Sequence, residues 1–400
     1  MNILPLFTPC LRLLGLLSLA VVASCTVNPV TGKSELSLLD EDQEVSLGEA
    51  QYQPSQQAQG GPYVSDPDLT RYVQSIGQQL ARVADRRLPY EFVIIDDSRP
   101  NAWALPGGKI AVNRGLLTRL NSEAELAAVL SHEIVHAAAR HSAKSIERNL
   151  LLSSVINMAG SALADQNNRY ATIFDSGAQL GAQFIVSSYG REAELESDAF
   201  GMLYMQRAGF DPMAAVTLQE TFVALSKARS ASWLDGMLAS HPPSEERVRR
   251  NQVTAEQLRA GRSQPGIQGF DRYQLKLDRL STKTQGYELA ANAQESLDAG
   301  DLELANRQIK QALGVTQTEA LLWGIAGQIA LADEQPALSD RHFSRAIAIN
   351  DRHFRYYLGR GLARQALAQL NGAISDLEAS QQIFATDIAA KALQELQSTP

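Results

Sequence analysis

"SHEIVHAAARH", residues 131–141, carries three of the six histidines in a chain of 400 residues. A helix turns once in 3.6 residues, so His132 and His136 project from one face and can hold a single ion. Glu133 lies at the edge of that face, where its carboxylate reaches a metal-bound water without being a ligand. Two ligands and a general base on one turn is the arrangement of zinc-dependent peptide hydrolysis. The helix itself is well signalled. Ser122 and Glu125 form a capping box ahead of "LAAVL", and Leu126, Val129 and Leu130 supply an apolar stripe.

A catalytic zinc needs a third protein ligand. His141 follows His136 by five residues, about 140° further round a continuous helix, which argues against it. A glycine at 139 with a histidine at 142 would rescue a local third ligand, but Ala139 and Ser142 stand there. The ligand is therefore expected from the downstream helix in "SYGREAELESDAFGMLYMQRAGFDP", which ends at Gly209 with Pro212 as a stop. In it Glu194 and Asp198, four apart, share a face. Glu194 can ligate while Asp198 accepts the N–H of a ligating histidine. Glu192 and Glu196 form a rival pair at the same spacing, and the more compact aspartate favours the first.

Four segments, "NAWALPGGKIAVNRGLL", "AELAAVLSHEIVHAAARH", "REAELESDAFG" and "SHPPSEERV", follow one another in this order. Together they resemble the zinc endopeptidases of the CAAX-prenyl-protease (gluzincin) family, most of all its bacterial envelope branch. The resemblance implies one zinc ion per chain, held by His132, His136 and Glu194, the last being the glutamate of the family's R-x-x-E-x-x-x-D segment. It also implies Asp198 behind a ligating histidine and Glu133 as the base. Gly190 stands where relatives often have serine. His241 either stabilises the oxyanion, occupies the open coordination position, or is a plain loop histidine. Tyr189 is a weaker candidate for the oxyanion role. The implied substrates are unfolded or misassembled envelope proteins, with the outer-membrane assembly machinery as a further partner.

The apolar run "LLGLLSLAVVA" is too short to span a bilayer and follows Arg12, so residues 1–24 read as a signal peptide. It ends in "VASC", which resembles a bacterial lipobox. Cys25 is thus expected to carry lipid as the mature N-terminus, with Thr26 directing the protein to the outer membrane, facing the periplasm. The other cysteine, Cys10, lies in the removed segment, so no disulfide is expected. A net charge of −8, with 20% charged and 44% hydrophobic residues, describes a soluble globular chain and argues against nucleic acid as a partner.

The fold class expected is mainly α. An α+β gluzincin metalloprotease domain with a small sheet precedes an α–α tetratricopeptide solenoid. Residues 25–65 read as a lipid-anchored tether and helix, 66–250 as the protease, 251–285 as a linker and 286–398 as the repeats. "EFVIIDD" reads as a strand and "AWALPGGKIAV" as a hairpin turning at Pro106, Gly107 and Gly108. Gly108 to Val112 is the candidate edge for an added substrate strand. "LLLSSVINMAGSALA" reads as a buried or amphipathic helix near the cleft. Beyond the linker a 34-residue period aligns Ala305, Ser339 and Ala373; Ile309, Phe343 and Leu377; and Ala312, Ala346 and Ser380. Trp323 matches Tyr357 and Gly327 matches Gly361. The concave face of such a stack suits protein binding, and His342 and His353 need no metal role there.

Overall fold

The structure, a computed structural model, describes residues 25–148, 189–227, 240–260 and 264–398. The expected signal peptide and the apolar segment 150–164 lie outside the described residues. Two short strands, β1 (Cys25–Val27) and β2 (Ser34–Leu36), form an antiparallel hairpin. Helix α1 (Glu41–Gln59) starts at a capping box in which Asp40 and Gln43 satisfy each other's backbone N–H. After α2 (Pro67–Ala81), whose Leu69, Val73, Ile76 and Leu80 are buried, comes a mixed sheet. Its strands are β3 (Glu91–Ile95), β4 (Ala102–Leu105) and β5 (Lys109–Asn113).

The expected hairpin is present, its turn at Pro106–Gly108. A Cβ on Gly107, which has φ +73°, would come within 2.7 Å of the Val45 Cα on α1. The expected edge is not where it was read. β5 is the centre of the sheet, because β3 pairs parallel to it on the side away from β4. The open edge nearest the zinc-motif helix is β4, and there the Ala104 carbonyl already accepts from Ser142 Oγ at 2.9 Å.

The zinc-motif helix α3 (Glu123–Ala138) lies across this sheet, with Leu126, Ala127, Leu130, Ile134 and Val135 fully enclosed. Ser122 Oγ caps it by accepting from Glu125 N at 3.1 Å, and the Glu125 side chain turns back to Asn121 N. It stops at Ala138. Arg140 takes φ +63°, and the chain turns into a second helical stretch at 141–148. Helix α4 (Arg191–Arg207) packs along α3. Gly201 makes the approach close, since a Cβ there would meet Ser131 Oγ at 3.2 Å. Helices α5 (Met213–Lys227) and α6 (Glu245–Ala260) complete this part.

The interval 251–285, read as a linker, is largely helical and packed. Helix α6 runs through to Ala260, and α7 (Phe270–Ser281) buries Tyr273, Leu277 and Leu280. Tyr273 Oη donates to the Leu117 carbonyl at 2.7 Å, Arg272 pairs with Glu123, and Ala124 N donates to the Gln268 carbonyl at 3.1 Å. The apolar spacing of "FDRYQLKLDRL" places these side chains on one stripe, which α2 and α3 cover.

Three helix pairs follow: α8 (Thr284–Asp298) with α9 (Leu302–Val315), α10 (Ala320–Ala332) with α11 (Pro336–Ile349), and α12 (Phe354–Ala366) with α13 (Leu370–Ile383). Helix α14 (Asp387–Ser398) closes the stack. The periodic small positions are helix contacts. A Cβ on Gly327 would strike Phe343 at 2.8 Å, and one on Gly361 would strike Leu377 at 2.9 Å. The stack is docked on the rest of the chain. Arg114 lies 3.3 Å over the Tyr287 ring and pairs with Asp96, and Gln57 of α1 accepts from Phe354 N. One apolar core runs from Val30 through α3 to Ile329.

Candidate metal centre

Helix α3 presents His132 and His136 from successive turns, and their Nε2 atoms converge to 3.0 Å. Helix α4 brings Glu194 to them, with Oε2 at 3.5 Å from His132 Nε2 and Oε1 at 3.3 Å from His136 Nε2. His241, from the segment before α6, adds Nδ1 at 3.0 Å from Glu194 Oε1 and 3.3 Å from His132 Nε2. The ligand atoms of these four residues all lie within 4.8 Å of one another. Two donors bound to zinc at about 2.0–2.1 Å in tetrahedral geometry stand roughly 3.3 Å apart. The donor set therefore fits a zinc ion in type, number and spacing.

The rival pair is elsewhere. Glu192 is exposed beside Arg191, and Glu196 bonds Lys33 and His141. Asp198 lies behind the first histidine, Oδ1 3.0 Å from His132 Nδ1. His141 is not in the donor set, but the turn at Arg140 brings its Nδ1 to 3.1 Å from His136 Nδ1. The continuous-helix assumption hid this contact. Tyr189 stacks on His136 at 3.8 Å between ring centres, with its hydroxyl against Ser142 Oγ.

Arg247, on α6, was not singled out from the sequence. It is buried, bonds both Asp198 oxygens at 2.7 Å through Nε and Nη2, and reaches Glu194 Oε2 with Nη1 at 2.8 Å. Its signal was there to read: Arg247, Asn251 and Ala255 recur every four residues and are the buried positions of α6.

The electrostatics follow from burial set against these pairings. Burial favours the neutral form of Asp198, but Arg247 and His132 outweigh it and hold the carboxyl below the usual range. Glu194 is likewise held well below, burial being overcome by His241 and His132. Burial disfavours a charged His132, yet Glu194 and Asp198 raise its pKa to about 10. Glu133 goes the other way. Burial pushes it above the usual carboxylate range, with His241 and His132 opposing, and its Oε2 has no hydrogen-bond partner. A carboxylate that takes up a proton readily, beside a donor set, is equipped for general-base work. A mostly apolar cavity opens beside it, lined by Val129, Met202, Met205, Leu218 and Phe222.

Residues 67–254 match Peptidase family M48. The chain is 31% identical over 250 residues to the beta-barrel assembly-enhancing protease of Escherichia coli O157:H7, covering 62% of this chain and 50% of that one. It is 30% identical over 282 residues to the Yersinia pestis protein of the same name, covering 66% and 57%. It is 33% identical over 182 residues to mitochondrial metalloendopeptidase OMA1 of Schizosaccharomyces pombe, covering 45% and 51%. The chain spans about half the length of the curated relatives it matches. Among solved structures, the Arabidopsis OM64 TPR domain aligns at 15% identity and a TM-score of 0.29, over 30% of this chain and 99% of that one. Site geometry and family match meet on the same residues: His132, His136, Glu194 and His241 all lie within the stretch 67–254 that matches Peptidase family M48.

Proposed function

We propose that the chain is a zinc-dependent endopeptidase of the bacterial cell envelope that removes misfolded or stalled envelope proteins. The convergence of His132, His136, Glu194 and His241 beside a partnerless Glu133 oxygen carries this reading. His132, His136 and Glu194 would hold the zinc, which supplies Lewis acidity toward the scissile carbonyl and the attacking water. Glu133 takes the proton of that water and hands it to the leaving amine. Asp198 accepts from His132 Nδ1 and so fixes which ring nitrogen faces the ion. Tyr189, stacked on His136, keeps that ring flat against the cleft wall. The cleft takes a substrate strand along β4, and the repeats supply a protein-binding surface.

Attachment is by lipid on Cys25, for which "VASC" is the support, with Thr26 favouring the outer membrane. Among the described residues no helix is long and apolar enough to cross a membrane. A second reading, a chaperone or assembly factor whose proteolysis is mostly repressed, is favoured by one observation. His241 stands inside the donor set, Nδ1 3.3 Å from His132 Nε2 and 3.0 Å from Glu194 Oε1, where it would compete with a water or substrate.

The test is zinc analysis with cleavage of an unfolded casein. Wild type should carry about one zinc per chain, Glu133→Gln should keep the metal and lose cleavage, and Glu194→Ala should lose most of both. Full zinc and activity in Glu194→Ala would overturn the ligand assignment.

A further inference from the structure

Each histidine of α3 has one ring nitrogen in the donor set and one outside it. The Nε2 atoms converge on Glu194, so each Nδ1 faces away. A histidine that ligates through Nε2 carries its proton on Nδ1, and the acceptor of that proton fixes how the ring is turned. Asp198 accepts from His132. Behind His136 stands a second imidazole, with His141 Nδ1 3.1 Å from His136 Nδ1. Tyr189, stacked on His136, restrains the tilt of its ring but leaves open a flip about χ2, which would exchange nitrogen for carbon in the donor set. A hydrogen bond at Nδ1 removes that freedom.

The backbone is bent to make this contact. Along a continuous helix His141 would lie about 140° round from His136. Arg140 interrupts the helix at φ +63°, which few residues with a Cβ adopt. Its side chain is buried and holds the turn from three directions, bonding Glu44 of α1, the Leu39 carbonyl and Glu147. The next helical stretch begins at His141, which is 5% exposed, its ring edge-on to His136 at 5.0 Å between centres. The other nitrogen is also engaged. His141 Nε2 lies 3.3 Å from Glu196 Oε2, Glu196 Oε1 accepts from Lys33 at 2.6 Å, and Ser197 Oγ flanks His141 Nδ1 at 3.4 Å. A carboxylate only accepts, so Nε2 carries the proton of a neutral His141 and the Nδ1 lone pair is left facing His136.

We propose that His141 is the positioning residue of the second zinc ligand: it accepts the Nδ1 proton of His136 and so holds Nε2 toward the ion. The inference rests on the reading of this centre as a zinc site. An uncharged acceptor suits the place. A carboxylate in direct contact with His136 would add negative charge beside Asp198, Glu194 and Glu133, whereas an imidazole makes the same bond and leaves the charge on Glu196, one ring further out. Glu196, a rival ligand by spacing, thus acts on the metal at two removes. Lys33 closes the chain of contacts from a side chain 67% exposed, so it adds little.

The experiment compares the full chain with His141→Leu and His141→Asn. Leucine fills the volume without an acceptor, while the asparagine Oδ1 can take the place of the histidine Nδ1. Zinc affinity is read by competition with a chelator, and ligand geometry by the visible spectrum of the cobalt-substituted protein. His141→Leu should bind zinc about 10- to 100-fold more weakly and shift the cobalt bands, and His141→Asn should recover most of both. If both variants keep wild-type zinc affinity and cobalt bands and lose only stability of the metal-free fold, His141 is a packing residue and the proposal is overturned. Equal weakening in the two variants also overturns it. A measurement on wild type needs no variant to fold: nitrogen NMR of zinc-loaded, 15N-histidine protein should find the proton of His136 on Nδ1 and that of His141 on Nε2. Bound zinc with the His141 proton on Nδ1 refutes the positioning role and leaves the zinc reading standing. Wild type that takes up no zinc sinks the zinc reading, and this proposal with it.

Discussion

Replacing Arg247 by lysine should weaken zinc binding about 10- to 100-fold, although lysine keeps the charge. The guanidinium makes three short contacts, two at 2.7 Å to Asp198 and one at 2.8 Å to Glu194. Only a planar fork spans both carboxylates at once, and an ammonium offers its donors from a single atom. Released from the fork, Asp198 no longer fixes His132, and Glu194 loses the partner that aims its second oxygen. A 10- to 100-fold loss corresponds to about 1.4–2.8 kcal/mol, smaller than the roughly 3–5 kcal/mol that breaking a buried pair outright costs the fold. Two effects compete here. A cation beside a dication repels it, so removing Arg247 altogether by Arg247→Leu relieves repulsion while also losing the fork. Arg247→Lys isolates positioning, because the charge stays. Zinc affinity by competition with a chelator, and the denaturation midpoint of the metal-free protein, separate metal from fold. A lysine variant that holds zinc within about twofold of wild type would refute the positioning role.

His241→Ala should leave zinc in place. Raised basal cleavage would mean that the ring blocks the fourth position, and lowered turnover that it stabilises the oxyanion; unchanged kinetics would make it a plain loop residue. Tyr273→Ala should destabilise the protease part by about 3–5 kcal/mol, since a fully buried aromatic ring is lost. Tyr273→Phe should cost only about 1 kcal/mol for the bond to Leu117, read by chemical denaturation. Equal stability in Tyr273→Ala would restore the picture of a loose linker.

Spacing made the metal helices readable. An i, i+4 pair fixes its own face whatever surrounds it, so His132 with His136 and Glu194 with Asp198 needed only a helix. The repeat period was legible for a related reason: Gly327 and Gly361 sit where any Cβ would strike Phe343 or Leu377, so the contact writes itself into the sequence. What depends on how distant elements meet was not readable. The central place of β5 comes from its parallel pairing with β3, which local alternation does not reveal, although its unbroken apolar "IAV" is what a doubly covered strand looks like. Residues 251–285 were misread because "AGRSQPGIQG" has linker composition. The stripe of Tyr273, Leu277 and Leu280 just beyond it was the better guide.

Arg247 also ties the metal to its neighbour His241. Its Nη1 donates to the Pro242 carbonyl at 3.2 Å while the same group reaches Glu194. Pro242 and Pro243 both have fixed φ, so little of the segment between His241 and α6 can flex. A movement that takes His241 out of the donor set must then pivot before Pro242, about residues 240–241, or pull the carbonyl off Arg247. Ser240 lies buried at that point, its hydroxyl 3.4 Å from Asn101 at the start of β4. The edge strand β4 and the segment that carries His241 therefore meet at one contact. Were substrate to pair along β4 and His241 to leave the donor set, both would act on this contact, with Arg247 bonded to Asp198 and reaching Glu194 beside it.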